Sequence, residues 1–340
     1  MAKIIQKIGK INFIASVIVS LAMTSCATIA VMVAPPKQRV QHKSPSAKIL
    51  NRAFFAAMHS GDYELIPELL HRHKQEYIKN PGDAVTASHI GFLHIWALSE
   101  RNRMATYPAS VIDHASMCEK YFTEAVALSP EDPRLLGFKA SCILAEASIH
   151  NDEASRREGY FMLHSARDAW PEFNNFTAGY VLSGQEHDSD LFQEGIDFQW
   201  SNLDDCTDGR FSKKTMDYSQ FISEEITIGP KRACWDSWIA PHNFEGFFLN
   251  MGDMLVKKGD VETAIKLYSM AKLVKGYQKW PYRKVLEARI NYAKDNVKNF
   301  RKKIPSGKRP DHPVIMFNSQ FACMACHQKA QGLPEGIVLK

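Results

Sequence analysis

The sequence predicts an all-α protein, and three observations support this fold class. Apolar residues recur at three- and four-residue spacing along most of residues 48–298, as they do on one face of an α-helix. The pairs Gly61-Asp62 and Gly259-Asp260 separate periodic segments in the way that turns between helices do. All of the periodic segments follow the helical spacing, so we expect helices and little strand.

One segment in the C-terminal half of the chain shows the clearest pair of helices. The pattern consists of Phe248, Met251, Gly252 and Leu255 on a first helix, the turn Gly259-Asp260, and Ala264, Tyr268 and Ala271 on a second. The small residues allow two helices to approach closely. This pattern resembles the tetratricopeptide repeat, although Gly276 stands where that family has its closing proline. The resemblance implies helix pairs that stack into a curved solenoid.

Three further segments show parts of the same pattern. One ends in Cys118, Phe122, Ala125 and Pro130, with its first helix around Ile90-Gly91 and a long loop through Pro108; another contains Gly159, Leu163, Ala166 and Pro171; a weaker one covers residues 48–81. We therefore expect helical repeats over residues 48–200 and 243–298, with a concave surface that binds a protein partner. A non-repeating helical bundle with the same periodicity remains the alternative.

The helical pattern breaks between residues 201 and 242. Few apolar residues recur there at helical spacing, and we expect an irregular insertion that a disulfide between Cys206 and Cys234 ties together. For Cys118 and Cys142 two interpretations remain open. They form a second disulfide, or each is a small apolar residue of the core.

The first 35 residues have the pattern of an export signal. Lys3, Lys7 and Lys10 precede an uncharged, mostly apolar run over residues 11–35. Three outcomes remain open: an uncleaved membrane anchor, a lipoprotein that is lipidated at Cys26, and a cleaved signal peptide. Each of them exports the rest of the chain to the periplasm or the cell envelope, with residues 36–47 as a linker.

Residues 299–340 form a tail whose composition differs from that of the repeats. Near its end the chain reads Cys323-Met324-Ala325-Cys326-His327. This spacing resembles the haem-attachment motif of c-type cytochromes. The resemblance implies one covalent haem c, bound through thioethers at Cys323 and Cys326, with His327 as the proximal ligand of the iron. A redox disulfide, a zinc site and an accidental spacing remain alternatives, although no second Cys/His pair has zinc-ribbon spacing.

A second axial ligand for such a haem has to come from upstream or from a partner, because only a short segment follows His327. His312 and Met316 are the nearest candidates. A methionine ligand raises the reduction potential relative to histidine, and an iron without a second ligand suits gas binding or peroxide chemistry. The basic residues around Pro305 form a linker. It is either a solvated hinge or a docking patch for an acidic redox partner or for lipid phosphate.

Charge and motifs narrow the function further. The formal net charge of +5 is modest and comes largely from the tail, so we expect no nucleic-acid partner. No catalytic triad spacing, paired carboxylate motif or phosphate-binding glycine loop rises above background, and no catalytic residue is predicted. We expect an exported electron carrier, held at a membrane by its N-terminal segment, whose repeats dock a protein partner such as a redox protein. The alternative is a non-redox scaffold in which the Cys-x-x-Cys-His motif is structural or incidental.

Overall fold

The computed structural model describes residues 28–40, 43–103, 108–235, 245–303 and 310–316 of the chain. Within these ranges all regular secondary structure is helical and no β-strand occurs. The prediction of an all-α protein is therefore confirmed for the described part of the chain. The chain divides after Gln38 into two compact units, and the described part of the first unit contains a helical turn at residues 28–32.

Helices α1 to α8 lie between residues 45 and 206. Their bounds are α1 (Pro45–Ser60), α2 (Ile66–Lys79), α3 (Ala84–Ser99), α4 (Val111–Leu128), α5 (Pro133–His150), α6 (Glu153–Ala169), α7 (Pro171–Leu182) and α8 (Asp190–Cys206). Short polar side chains begin several of them. Asp83 and Asp152 each accept hydrogen bonds from two backbone N–H groups of the first helical turn, and Ser189 accepts one. These groups have no partner within the helix, so the caps fix where each helix begins.

Each helix of this series packs against the next one along the chain, and α1 also contacts α3 while α5 also contacts α7. Glycine makes one of these crossings close. A Cβ atom at Gly91 of α3 would lie 2.7 Å from the ring of Phe122 in α4, so only glycine fits under that ring. Buried side chains from α1 to α5 form an apolar cluster around Phe54, Phe122 and Phe138.

The irregular segment after α8 begins later than the sequence predicted. Helix α8 continues through Cys206, so the expected boundary at residue 201 lies inside the helix. From residue 207 to residue 229 the chain consists of turns and extended stretches, followed by a short 3-10 turn at Pro230–Ala233. A disulfide joins Cys206 to Cys234 across this segment. The end of α8 and the end of the described insertion are therefore held together covalently.

The remaining helices are α9 (Glu245–Lys258), α10 (Val261–Met270), α11 (Arg283–Asn291) and α12 (Ala293–Phe300). Gly259 has a φ of 107°, which lets the chain turn sharply from α9 into α10. Helix α12 packs against both α9 and α10, and it reaches Phe300, slightly past the boundary expected at residue 298. Buried Lys257 of α9 donates hydrogen bonds to the carbonyl oxygens of Ser183 (3.0 Å) and Gln185 (2.7 Å). These bonds fix α9 against the turn between α7 and α8.

None of the helices in the described ranges combines the length and the apolar composition that crossing a bilayer requires.

Candidate functional site

The residues predicted to hold a cofactor fall into two groups. Cys323, Cys326 and His327 of the haem-attachment motif lie outside the described residues, as does Cys26, the predicted lipidation site. The two candidates for the second axial ligand, His312 and Met316, lie within the described segment 310–316. Six residues separate the end of this segment from Cys323 in the sequence.

Segment 310–316 is held against the C-terminal helices by a buried polar network. The guanidinium of Arg289 in α11 donates a hydrogen bond to the carbonyl oxygen of Val314 (2.9 Å) and forms an ion pair with Asp253 of α9 (3.1 Å). The hydroxyl of Tyr268 in α10 donates a hydrogen bond to the same carboxylate (2.5 Å). The side chains of Arg289 and Asp253 are 4% and 0% exposed, so the interaction takes place away from water. One arginine thus connects the segment to three helices.

Burial of Asp253 has an electrostatic consequence. Loss of hydration raises the pKa of this carboxyl to about 6, although the positive charge of Arg289 and the hydrogen bond from Tyr268 both act to lower it. The network is therefore still charged at neutral pH and becomes protonated in mildly acidic solution. Arg289 bonds to a backbone atom of Val314, so the contact positions the chain and does not depend on the side chain of Val314.

His312 lies in this segment with its ring turned away from solvent. Its side chain is 10% exposed, whereas that of Asp311 is 96% exposed. Nδ1 of His312 lies 2.7 Å from a carboxylate oxygen of Asp311, and Nε2 is buried with no hydrogen-bond partner among the described residues. The hydrogen bond from the imidazole lowers the pKa of the Asp311 carboxyl. A buried ring nitrogen without a hydrogen-bond partner among the described residues also occurs at His73, His94 and His164.

Met316, the other candidate, has a different environment. Its side chain and that of Ile315 are half-buried and pack against the apolar cluster of α8 to α12. The backbone at Met316 has a φ of 51°, in the left-handed region that few residues other than glycine adopt. The thioether therefore serves packing in this structure, while the imidazole of His312 has an unused nitrogen.

Both cysteine pairs discussed from the sequence are bonded in the structure. Cys206 pairs with Cys234, as expected, and Cys118 of α4 pairs with Cys142 of α5, the pairing that the sequence left open. The Cα atoms are 5.7 Å apart in each pair. Disulfides of this kind persist in oxidising compartments, which is the setting that the export signal predicts.

A cleft beside the insertion was missed by the sequence reasoning. It has a volume of about 740 Å³. Its wall includes Trp170, Glu172, Asp204, Asp205 and Arg232. Two features of the sequence mark this cleft. Asp204 and Asp205 are adjacent in the last turn of α8, and Pro171 begins the facing helix α7. The disulfide between Cys206 and Cys234 joins the end of α8 to the insertion that supplies Arg232.

Acidic side chains outnumber basic ones in the lining of the cleft. Partial burial raises the pKa of the carboxyl groups of Glu172, Asp204 and Asp205, and repulsion from Asp204 adds to the shift at Asp205. The guanidinium of Arg232 lies 3.9 Å from the ring centre of Trp170, a cation–π contact on the rim of the cleft. The cleft is thus a place where a cationic group gains from neutralising the carboxylates.

The histidines of α2, α3 and α4 contact one another and neighbouring aromatic rings. Nδ1 of His94 and Nδ1 of His114 are 2.8 Å apart, and burial lowers the pKa of His94 to about 3, so this ring is neutral at physiological pH. His73 and His89 pack with the ring of Phe54. Within the described ranges no three His, Cys, Asp or Glu side chains are arranged to hold a metal ion.

The fold and these sites were compared with known proteins. No family model, no curated protein and no solved structure matches the chain.

Proposed function

We propose that the protein is an exported, envelope-associated c-type cytochrome-like carrier of single electrons. The motif Cys323-x-x-Cys326-His327 carries this proposal, because two thiols at this spacing add to the two vinyl groups of one porphyrin and the adjacent imidazole binds the iron. The N-terminal basic and apolar pattern supports it, since covalent haem of this type is attached outside the cytoplasm. The two disulfides agree with the same compartment.

A haem bound at this motif supplies one reversible electron step at its iron. The chain's own contribution is to fix the segment that precedes the motif. Arg289 holds the backbone at Val314, and the side chains of Ile315 and Met316 pack on the C-terminal helices. In the sequence, Cys323 follows this anchored segment after six intervening residues.

For the helices we propose a tetratricopeptide-like solenoid that docks a protein partner. Two features support it. Each helix up to α8 packs on its neighbour in the chain. A Cβ atom at Gly252 of α9 would lie 2.2 Å from the ring of Tyr268 in α10, the same relation of glycine and ring as at Gly91 and Phe122. We place the partner at the cleft around Asp204 and Asp205, because its carboxylates favour a basic group on the partner.

The test of the haem is the mass of the denatured chain after expression in a host with active cytochrome maturation. We expect the wild-type chain to carry one haem, Cys323→Ala to carry less, and Cys323→Ala/Cys326→Ala to carry none. Cys118→Ala/Cys142→Ala is the matched control, since it removes two cysteines but leaves the motif intact, and it keeps the haem if it folds. An unmodified wild-type mass contradicts the carrier and leaves a non-redox scaffold as the function.

Mass spectrometry of the N-terminus tests the membrane attachment. A start at residue 1 indicates the uncleaved anchor, and a lipid-modified start at Cys26 indicates a lipoprotein. An unmodified start at another residue before the helical region indicates that a signal peptide was cleaved. Recovery of the whole protein in the cytoplasm contradicts export, and with it the proposed site of haem attachment.

A further inference from the structure

The cleft beside the insertion holds more negative charge than the described cations neutralise. Five carboxylates line it, and two of them are paired, Glu131 with Arg39 and Asp208 with Lys231. The other three form no ion pair with a described lysine or arginine, and they belong to Glu172, Asp204 and Asp205. The glutamate lies in the first turn of α7 and the two aspartates lie in the last turn of α8, so two helices bring these charges to one cleft.

Partial burial makes these three charges costly. Loss of hydration raises the pKa of each carboxyl, and it outweighs the opposing effect of the nearest lysine and arginine side chains. The carboxylates also repel one another, since Asp205 adds to the shift at Glu172 and Asp204 adds to the shift at Asp205. A cation bound between them would replace the lost hydration and remove the repulsion. The cleft therefore favours a positively charged ligand.

A buried amide of α7 faces the same wall of the cleft. Asn175 follows Glu172 by three residues, so both lie on one side of the helix. The side chain of Asn175 is 2% exposed, its Nδ2 donates a hydrogen bond to Asp205 (2.8 Å), and its Oδ1 has no hydrogen-bond partner among the described residues. Because both atoms belong to one carboxamide, an acceptor without a partner lies directly behind the carboxylate of Asp205. This acceptor adds to the attraction for a cation.

The aromatic wall of the cleft indicates which kind of cation fits. Trp170 is 5% exposed, and two guanidinium groups of the protein already lie over its ring, that of Arg232 at 3.9 Å and that of Arg134 at 5.8 Å from the ring centre. A guanidinium from outside would have to displace Arg232 before it could stack on this ring. An ammonium group is a compact charge with three N–H donors, and it needs oxygen acceptors rather than an aromatic face. The three unpaired carboxylates therefore suit an ammonium better than a guanidinium.

We propose that the cleft binds the side-chain ammonium of a lysine in an extended segment of the docked protein partner, between the carboxylates of Glu172, Asp204 and Asp205. This inference rests on the proposed function, in which a partner docks at this cleft. The volume of about 740 Å³ is that of a site for a ligand larger than one side chain. The cleft therefore also has room for backbone on either side of the lysine.

Isothermal titration of the full-length protein with four probes tests the proposal. The first probe is a glycine pentapeptide with blocked ends and a lysine at its centre. Two others carry norleucine or arginine in place of that lysine, and the last is n-butylamine, which is the lysine side chain without a backbone. We expect the lysine peptide to bind most tightly. The norleucine peptide and n-butylamine should bind about tenfold more weakly, because the first lacks the charge and the second lacks the backbone contacts.

A pair of variants tests whether the peptide binds at the cleft. Glu172→Gln/Asp205→Asn removes two of the three unpaired charges and nearly preserves the shapes of the side chains, so it should weaken binding of the lysine peptide about tenfold. Asp197→Asn is the matched control. It makes the same change of charge on α8, but its side chain is exposed and lies outside the lining of the cleft, so the affinity should stay the same. Far-ultraviolet dichroism checks that both variants keep the helical content of the wild type.

Several outcomes overturn the proposal, and those from the wild-type protein need no variant to fold. A wild type that does not bind the lysine peptide, or that binds the arginine or norleucine peptide as tightly, overturns the choice of an ammonium. Equal affinity for n-butylamine and the lysine peptide indicates a site for a free amine and overturns the choice of a partner's lysine. Equal affinity of the wild type and Glu172→Gln/Asp205→Asn overturns the location.

The haem mass of the same protein separates this proposal from the function on which it rests. A chain that carries the haem but fails the peptide tests overturns the assignment of the cleft and leaves the electron carrier in place. A chain that passes the peptide tests without carrying the haem overturns the electron carrier, and the cleft then belongs to a non-redox scaffold.

Discussion

The N-terminal and C-terminal helices bury polar side chains in opposite ways. In α2 and α3 the buried groups include the imidazoles of His73, His89 and His94, and burial lowers the pKa of each. Between α9 and α11 they are the carboxylate and guanidinium of Asp253 and Arg289, which form a buried ion pair. The first region thus buries imidazoles that are uncharged at neutral pH, and the second buries a charge together with its counter-charge. Acid and mutation should therefore act differently on the two regions.

The difference follows from what each region has to hold. The imidazoles of His73 and His89 lie against the ring of Phe54, and an uncharged flat ring packs there like any aromatic side chain. The imidazole of His94 stacks on the ring of Tyr121. The ion pair instead connects α9, α10 and α11 to segment 310–316, which has no regular secondary structure of its own. A directional bond is needed there because the segment is too short to bury much apolar surface.

The largest expected effect is the loss of the buried arginine. Arg289→Met leaves the Asp253 carboxylate buried without a counter-charge, which should lower the free energy of unfolding by about 3–5 kcal/mol. Denaturant unfolding measures this change. The same variant removes the bond to Val314, so limited proteolysis within segment 310–316 should also become faster.

Two controls sharpen that result. Asp253→Leu/Arg289→Met removes both charges and should recover most of the lost stability, because no unpaired charge remains. Arg156 of α6 pairs with Glu153 on the surface, where both side chains are about half exposed. Arg156→Met should therefore change stability by about 1 kcal/mol or less. Equal losses for Arg156→Met and Arg289→Met would remove the distinction between surface and buried pairs.

Two glycine substitutions compare how well each region accommodates an added methyl group. Gly91→Ala places a methyl group against the ring of Phe122, and Gly252→Ala places one against the ring of Tyr268. Overpacking of this kind costs about 1–3 kcal/mol. We expect the greater loss at Gly252, because the hydroxyl of Tyr268 is tied to Asp253 and its ring cannot move aside without breaking that bond. Thermal or denaturant unfolding of both variants gives the comparison, and a greater loss at Gly91 would contradict it.

The smallest expected effect of a single site is the change of the free energy of unfolding with pH. His73, His89 and His94 have pKa values below the unfolded value of about 6.5, so their stabilising contribution is complete above pH 6.5 and falls as the pH drops below it. Each such site contributes a slope of up to about 1.4 kcal/mol per pH unit. His89→Phe should reduce the slope of the free energy of unfolding between pH 6.5 and pH 5. Phe92→Leu should lower stability without changing that slope.

Protonation of Asp253 changes the free energy of unfolding in the opposite direction over part of the same pH range. Its pKa is raised to about 6 in the folded protein, above the unfolded value, so the folded state binds the proton more tightly. Its contribution therefore grows as the pH falls from about 6 towards 4 and is lost as the pH rises through 6. Asp253→Asn should make the acid-induced loss of stability steeper than in the wild type. An unchanged slope would show that Asp253 does not titrate in this range.

The sequence predicted the helices better than the contacts between them. Helical periodicity placed the turns at Gly61-Asp62 and Gly259-Asp260, where the structure has them, because turn chemistry is local. The boundary expected at residue 201 lies inside α8, because the polar pair Asp204 and Asp205 interrupts the apolar pattern of the sequence but not the helix. Leu203 and Cys206 continue the buried face of the helix past them. Solenoid stacking stays a prediction.

The candidate site shows the same limit. The haem motif and the pairing of Cys206 with Cys234 depend on spacing and compartment, which a sequence displays. The contact between Arg289 and the carbonyl oxygen of Val314 joins residues that are far apart in the chain. No pattern of side chains in a sequence predicts a contact to a backbone oxygen. His312 and Met316 are equal candidates in the sequence, and their axial-ligand roles stay predictions; the structure adds only that one ring nitrogen of His312 is buried and that the side chain of Met316 packs on the apolar cluster.

The two disulfides also fix an order of events. Their loops follow each other along the chain without overlapping, since the bond from Cys118 closes at Cys142 before Cys206 begins the next. A chain that emerges N-terminus first can therefore oxidise each pair as soon as its second cysteine appears. No early pairing has to be undone by thiol exchange. The four cysteines of these two pairs can all be bonded before Cys323 and Cys326 emerge, so none of them has to compete for the two thiols of the last motif.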